Sequence, residues 1–421
     1  MHCVAQRSTR EDIQPAAAFG VGLKKTGYEI HLSTLVYKEI NMNRIASLAA
    51  IPLVIFVLEA CSTAKATSPQ TIATIPQITA TVPEATKTLR ATETMPSINS
   101  SVPFPFSEPG PYQSSTLYGT QFSDTQRAGR EIGINVWYPV RDDKPDRSGA
   151  PYPLILSSSK VARIFGDHLA SYGFVVVGVN YIDTYDPWDQ NLIDQPLDIL
   201  FALDQVAAHP PEGLEGMIDA ERAGVMGYSF DGYNALAMSG ARVDPQNYLD
   251  RCANPASVQP AVSERLIRMY CAFADDWDQF AAHAGEALTV SSDGLWQPMT
   301  DERIRAVMPM APEGAWLFGE RGLAAVDRPI LIIGAVEDQD CPYATEAAFT
   351  FEHVNTPDRF LISFVGMQHI MIYFEEPVAR MKHFSVAFFG YYLQGHPDYA
   401  LYFSEDFVSQ RENLVWGVFT K

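Results

Sequence analysis

Basic charge is scarce in this 421-residue chain, where 30 Lys and Arg stand against 50 Asp and Glu for a formal net charge of −20. Residues 62–421 alone hold 24 basic and 45 acidic side chains. A surface of that sign excludes nucleic acid as a partner, because phosphate backbones are held by basic faces. It also steers polyanions away and leaves neutral substrates unopposed. Long apolar runs are few: the principal one, Ile45–Leu58, is too short to span a bilayer comfortably. Cysteine is sparse at five residues, and no repeat of solenoid length is present. Asp275, Asp276 and Asp278 lie close together, but they lack the spacing of a calcium loop and read as solvated. What the chain does have is 47% hydrophobic residues, enough to bury a large core.

Composition divides it unevenly. Met42-Asn43-Arg44 followed by Ile45–Leu58 has the basic start and apolar run of a secretory leader. Residues 1–41 then read as an upstream extension and residues 42–60 as the signal peptide. Leu58-Glu59-Ala60-Cys61 resembles the lipobox of bacterial lipoproteins, which implies diacylation of Cys61 and anchoring at the cell envelope, on the outer membrane or cell surface. Residues 61–105 are rich in Thr, Ala, Pro and Ser and read as a flexible tether. Of the remaining cysteines, Cys252 and Cys271 share one polar insertion and are candidates to pair in an oxidising compartment, with Cys341 left over; three unpaired thiols fit the spacing equally well.

Residues 106–421 alternate short β-rich runs with helical patterns, which predicts an α/β fold with a mostly parallel sheet covered on both faces. Gln113–Phe122 and Glu131–Tyr138 alternate like antiparallel edge strands. Pro153–Leu156, Phe174–Val179, Ala223–Met226, Ile330–Ile333 and Phe360–Phe364 read as buried central strands. Helical patterns fall at Phe165–Tyr172, Ala202–Ala208, Tyr233–Met238, Tyr343–His353 and Val378–Leu393. In such folds the functional loops follow the carboxyl ends of the strands.

Three of those loops carry suitable chemistry. In Val225-Met226-Gly227-Tyr228-Ser229-Phe230-Asp231-Gly232 a strand ends, a serine follows, and a helix begins, which is the context of a nucleophile elbow. Asp231 stands two residues after the serine, where that pattern has glycine. Asp338 follows the strand ending at Ile333 and is placed to orient an imidazole, with Glu337 and Asp340 as competing acids. His369, in Gly366-Met367-Gln368-His369, follows another strand and titrates near neutral pH, as a general base should. The chain order Ser, Asp, His is the one this arrangement uses.

These residues resemble the α/β-hydrolase superfamily, and within it the dienelactone-hydrolase-like, platelet-activating-factor-acetylhydrolase-like and bacterial polyester-hydrolase (cutinase) branch. The resemblance runs from about Gly110 to Val418 and includes Val136-Trp137-Tyr138-Pro139, the serine turn, the Gly334-Ala335 to Asp338 to Pro342 spacing, and the His369 loop. It implies Ser229 as nucleophile, Asp338 as acid and His369 as base, with backbone N–H groups of Phe230 and Val161 as the oxyanion hole. No metal or organic cofactor is implied. Two departures stand out: Ser159-Lys160 replaces the usual His-Gly after the strand at Pro153–Leu156, and Asp231 replaces glycine, where it is expected to crowd the turn or raise the histidine pKa.

The reading is therefore a serine hydrolase of neutral carboxylic esters, small or polymeric, working through an acyl-enzyme. A hydrolase-fold surface binding protein without turnover is the alternative, motivated by the same two departures. No protein partner is inferred. Tyr181, Tyr185, Trp188 and Tyr228 are candidates to line the substrate pocket. The stretch 240–300 reads as a lid-like insertion, whose aromatics Tyr248, Tyr270, Phe273, Trp277, Phe280 and Trp296 either line that pocket or form the insertion's own core.

Overall fold

A computed structural model describes residues 104–180 and 188–420. The expected upstream extension, signal peptide, Cys61 and nearly all of the tether lie outside the described residues, as do Tyr181 and Tyr185. Among the described residues no helix is long and apolar enough to cross a membrane.

The chain enters through β1 (Gln113–Asp124) and β2 (Arg130–Arg141), which pair antiparallel, with the two-residue β3 (Lys144–Pro145) folded back on β2. Then β4 (Tyr152–Ser158), α1 (Ser159–Ser171), β5 (Val175–Asn180), α2 (Asn191–Ala208), β6 (Ile218–Tyr228) and α3 (Phe230–Met238) alternate. The insertion contributes four short helices: α4 (Pro245–Ala253), α5 (Glu264–Tyr270), α6 (Trp277–Ala284) and α7 (Glu286–Thr289). The sheet resumes with β7 (Ile304–Met310), followed by α8 (Ala315–Leu323), β8 (Ile330–Ala335), α9 (Ala347–His353), β9 (Arg359–Phe364), α10 (Glu375–Phe389), α11 (Glu405–Val408) and β10 (Leu414–Trp416).

The strands lie in the order β1-β2-β5-β4-β6-β7-β8-β9-β10. Every neighbouring pair from β5 through β9 is parallel, while β2 meets β5, and β10 meets β9, antiparallel. Parallel neighbours need crossovers, and the helices supply them, so both faces of the sheet are covered. Side chains alternate accordingly: Leu154, Leu156, Val175 and Val177 join one apolar cluster with α2, α3 and the insertion. Ile155, Val176, Met226 and Met308 join the other with α1 and α10. This is the mixed, mostly parallel sheet expected from the sequence.

The insertion's aromatics pack on one another and extend the apolar cluster on that face of the sheet. Phe273 stacks on Tyr248 and on Phe280 at ring-centroid distances of 4.6 and 4.1 Å, and Trp296 packs on Trp277 and Phe280 at 5.5 and 5.6 Å. None of the six aromatics lines the cavity that opens on Ser229; they are core residues, but of a core shared with the sheet rather than one of the insertion's own. A disulfide joins Cys252 in α4 to Cys271, the residue that ends α5, and Cys341 stays free and buried.

Candidate active site

The serine turn is built by exclusion of side chains. Ser229 has φ 62° and ψ −122°, a backbone conformation that costs a non-glycine residue about 1–3 kcal/mol and persists only when its surroundings enforce it. They do: the Ser229 N–H donates to the Met310 carbonyl at 3.0 Å, tying the turn to the end of β7. A Cβ on Gly227 would lie 1.8 Å from the backbone oxygen of Asp231, and one on Gly232 would lie 2.8 Å from Cα of Pro312. The turn therefore closes only with glycine at both places, and Phe230 N–H becomes the first backbone donor of α3, at the positive end of the helix dipole.

Asp338 lies in the loop after β8 and is 7% exposed. Its Oδ1 accepts from the backbone N–H groups of Asp340 and Cys341 at 2.9 and 2.8 Å, which fixes the carboxylate and leaves Oδ2 for the imidazole. Its rivals face solvent: Glu337 is exposed, and Asp340 forms an exposed ion pair with Arg265 of the insertion at 2.6 Å. His369 follows β9 past the turn at Gly366, which has φ 75°. Its Nδ1 is 2.8 Å from Asp338 Oδ2 and its Nε2 is 2.8 Å from Ser229 Oγ, so three loops after β6, β8 and β9 meet in one hydrogen-bonded line. Burial lowers the affinity of His369 for a proton, but the hydrogen bond and charge of Asp338, with Asp340 and Glu313 behind it, reverse the sign and hold its pKa above the ordinary value.

A cavity of about 660 Å³ opens on Ser229 and His369. Tyr228 lines it, and the Tyr228 hydroxyl donates to the His369 carbonyl. Trp188, expected in the pocket wall, sits behind it instead. It is 3% exposed, packs on Tyr270 at 4.8 Å, and donates its indole N–H to Glu313 Oε2 at 2.9 Å. The apolar body of the ring favours the core, and its N–H finds a partner there.

Val161 also lines the cavity, but its N–H, expected as the second oxyanion donor, is turned to the Ser158 side chain at 3.2 Å. The reason lies in the direct junction: α1 begins at Ser159 immediately after β4, so Ser158 caps the helix and takes the N–H of its third residue. Ser159 is a strut rather than a site residue, since its hydroxyl donates to the Gly178 carbonyl at 3.0 Å and accepts from Asn135 at 3.2 Å. Asp231 does not crowd the serine turn. Its carboxylate accepts from the Ser158 hydroxyl, with Asn234 Nδ2 3.4 Å from its other oxygen, and the charges that raise His369 are Asp338, Asp340 and Glu313.

Glu313 is the residue that sequence reasoning missed. It lies in the turn after β7, is 3% exposed, and lines the cavity with Ser229, His369 and Cys341. Met308-Pro309-Met310-Ala311-Pro312-Glu313-Gly314 did carry a signal, namely a carboxyl just past an apolar run, but Arg305 and Pro309 interrupt that run and hide the strand.

A mixed sheet of this order, helices on both faces, and a strained serine turn at the end of a central strand define the α/β-hydrolase superfamily. Residues 118–247, which include Ser229, match the family described as PET hydrolase-like. No curated protein matches the chain. Fold and family together make this an ester hydrolase.

Proposed function

We propose that the protein cleaves neutral carboxylic esters through an acyl-enzyme formed on Ser229. The observation that carries the reading is the unbroken line from Asp338 Oδ2 through His369 to Ser229 Oγ, with both contacts at 2.8 Å. Ser229 Oγ attacks the ester carbonyl while His369 Nε2 takes its proton, and Asp338 holds the imidazole in the required tautomer and stabilises the imidazolium. Negative charge then develops on the carbonyl oxygen, where the Phe230 N–H and the amino-terminal end of α1 supply positive dipole. The imidazolium returns its proton to the departing alcohol. Water, activated by the same His369, attacks the acyl-enzyme and restores Ser229. A strongly acidic chain favours uncharged esters, small or polymeric, over polyanionic ones.

Fluorophosphonate labelling of the intact protein, read by peptide mass, is expected to modify Ser229, and Ser229→Ala is expected to abolish both labelling and p-nitrophenyl ester hydrolysis. Hydrolysis retained in S229A would overturn the mechanism. The lipobox-like Leu58-Glu59-Ala60-Cys61 supports a location at the cell envelope, with Cys61 diacylated. Intact mass of the membrane fraction tests it, and an unmodified Cys61 would refute it.

A further inference from the structure

A buried carboxyl beside a nucleophile calls for a physical account, because removing it from water is costly unless both oxygens find partners. Glu313 is held where it is by the turn that carries it. Ala311 and Gly314 take φ of 39° and 122°, Met310 receives the Ser229 N–H, and Pro312 packs where a Cβ on Gly232 would stand. Glu313 and the nucleophile are thus parts of one packed unit. The Trp188 indole satisfies Oε2 at 2.9 Å, while among the described residues no donor meets Oε1. The residue lines the cavity that opens on Ser229, and its Oε1 is not sealed off there, so water in the cavity satisfies it and a substrate that displaces that water must replace its hydrogen bond with a partner of its own.

The chemistry of that partner is narrow. An alkyl or aryl group offers no hydrogen bond, and an ester carbonyl cannot donate one. An ammonium would meet Lys160, Arg163 and Arg265 lining the same cavity. A hydroxyl suits either protonation state of the carboxyl, accepting from the acid and donating to the carboxylate. Both states are at hand: burial pushes the Glu313 carboxyl up to about 7, opposed by the Trp188 hydrogen bond and by His369, and assisted by Asp338 and Asp231.

We infer that Glu313 is a specificity-determining residue that selects esters bearing a hydroxyl within reach of the scissile carbonyl over their unsubstituted counterparts. The inference rests on the esterase reading above. A site built to bond a hydroxyl rejects the analogue that lacks it far more strongly than an apolar pocket rejects an extra methylene.

The test compares kcat/KM for matched pairs on the full chain. One pair places the hydroxyl in the acyl group, p-nitrophenyl 3-hydroxybutyrate against p-nitrophenyl butyrate. The other places it in the alcohol, 2-hydroxyethyl butyrate against propyl butyrate. The wild type is expected to favour the hydroxylated member of at least one pair by about tenfold or more. Glu313→Gln, which can still hydrogen-bond, should keep most of that ratio, and Glu313→Met should bring it close to one. Should E313M fail to fold, Trp188→Phe unfastens the same carboxyl and should lower the ratio at least about threefold. A wild-type ratio near one in both pairs, or a ratio unchanged in E313M or, where that variant does not fold, in W188F, overturns the inference. Failure of the esterase reading shows separately, as hydrolysis of either member by S229A.

Discussion

The serine turn and the insertion are held by different means. Ser229, Asp338 and His369 are fixed by backbone: a carbonyl of β7 receives the Ser229 N–H, two amides hold Asp338 Oδ1, and Glu337 N–H donates to the Met367 carbonyl at 2.9 Å, joining the acid loop to the histidine loop. The insertion takes two backbone bonds from its first residues to α8, Arg242 N–H to the Gly322 carbonyl and Asp244 N–H to the Leu317 carbonyl, both at 3.1 Å, and beyond them leans on side chains: stacked aromatics, one disulfide, and ion pairs such as Arg242–Asp293 and Arg265–Asp340. Yet α5 of the insertion supplies Arg265 and Met269 to the cavity wall. The chemistry is set by the part of the molecule that tolerates least change, and the shape of the pocket partly by the part that tolerates more.

The sharpest way to break that contrast is Gly227→Ala. The added methyl would stand 1.8 Å from the Asp231 backbone oxygen, which no rotamer can relieve, so a loss of about 3 kcal/mol or more in urea unfolding is expected, together with loss of ester hydrolysis. A variant of wild-type stability and activity would mean that the turn is not enforced as described.

The insertion should respond less, and separately. Cys252 and Cys271 are 19 residues apart, a loop whose closure is worth about 3 kcal/mol. Cys252→Ser with Cys271→Ser should lower stability by roughly that amount while leaving fluorophosphonate labelling of Ser229 in place. Loss of labelling in the folded double variant would show that the insertion supports the serine turn directly.

The smallest effect is expected at the bridge between the two regions. Both side chains of the Arg265–Asp340 pair are more than half exposed, so Asp340→Asn should cost less than about 1 kcal/mol. Its signature is in the pH profile. On the proposed mechanism catalysis needs neutral His369, whose raised pKa places the acid limb of kcat/KM higher than an ordinary imidazole would. Asp340 contributes to that rise by favouring the imidazolium, so removing its charge should move the limb to lower pH. A limb that stays in place or moves upward would show that Asp340 does not act on His369.

How much of this was legible in the sequence follows from the same contrast. Strands β4, β5, β8 and β9 are short, largely apolar runs bounded by turn residues, as is the second half of the longer β6, and the three loops that meet at the site follow three of these strands. The strand β7 was not legible, because Pro309 is uncommon in a central strand and Arg305 breaks the apolar run. Glu313 was lost with it. Helix α2 begins at Asn191, eleven residues before the expected Ala202, because Pro196 is accommodated within it. The second oxyanion donor was misplaced because Ser157, Ser158 and Ser159 are all suitable caps, and the residue types do not say that Ser158 caps α1 directly after β4. Trp188 was read as a pocket residue from its position in a loop, and only its packing against Tyr270 and its bond to Glu313 put it behind the wall.

The Glu337–Met367 hydrogen bond has a mechanical corollary. By fastening the acid loop to the histidine loop it keeps base and carboxylate in register, while the Tyr228 hydroxyl on the His369 carbonyl fastens that histidine to the strand that leads into Ser229.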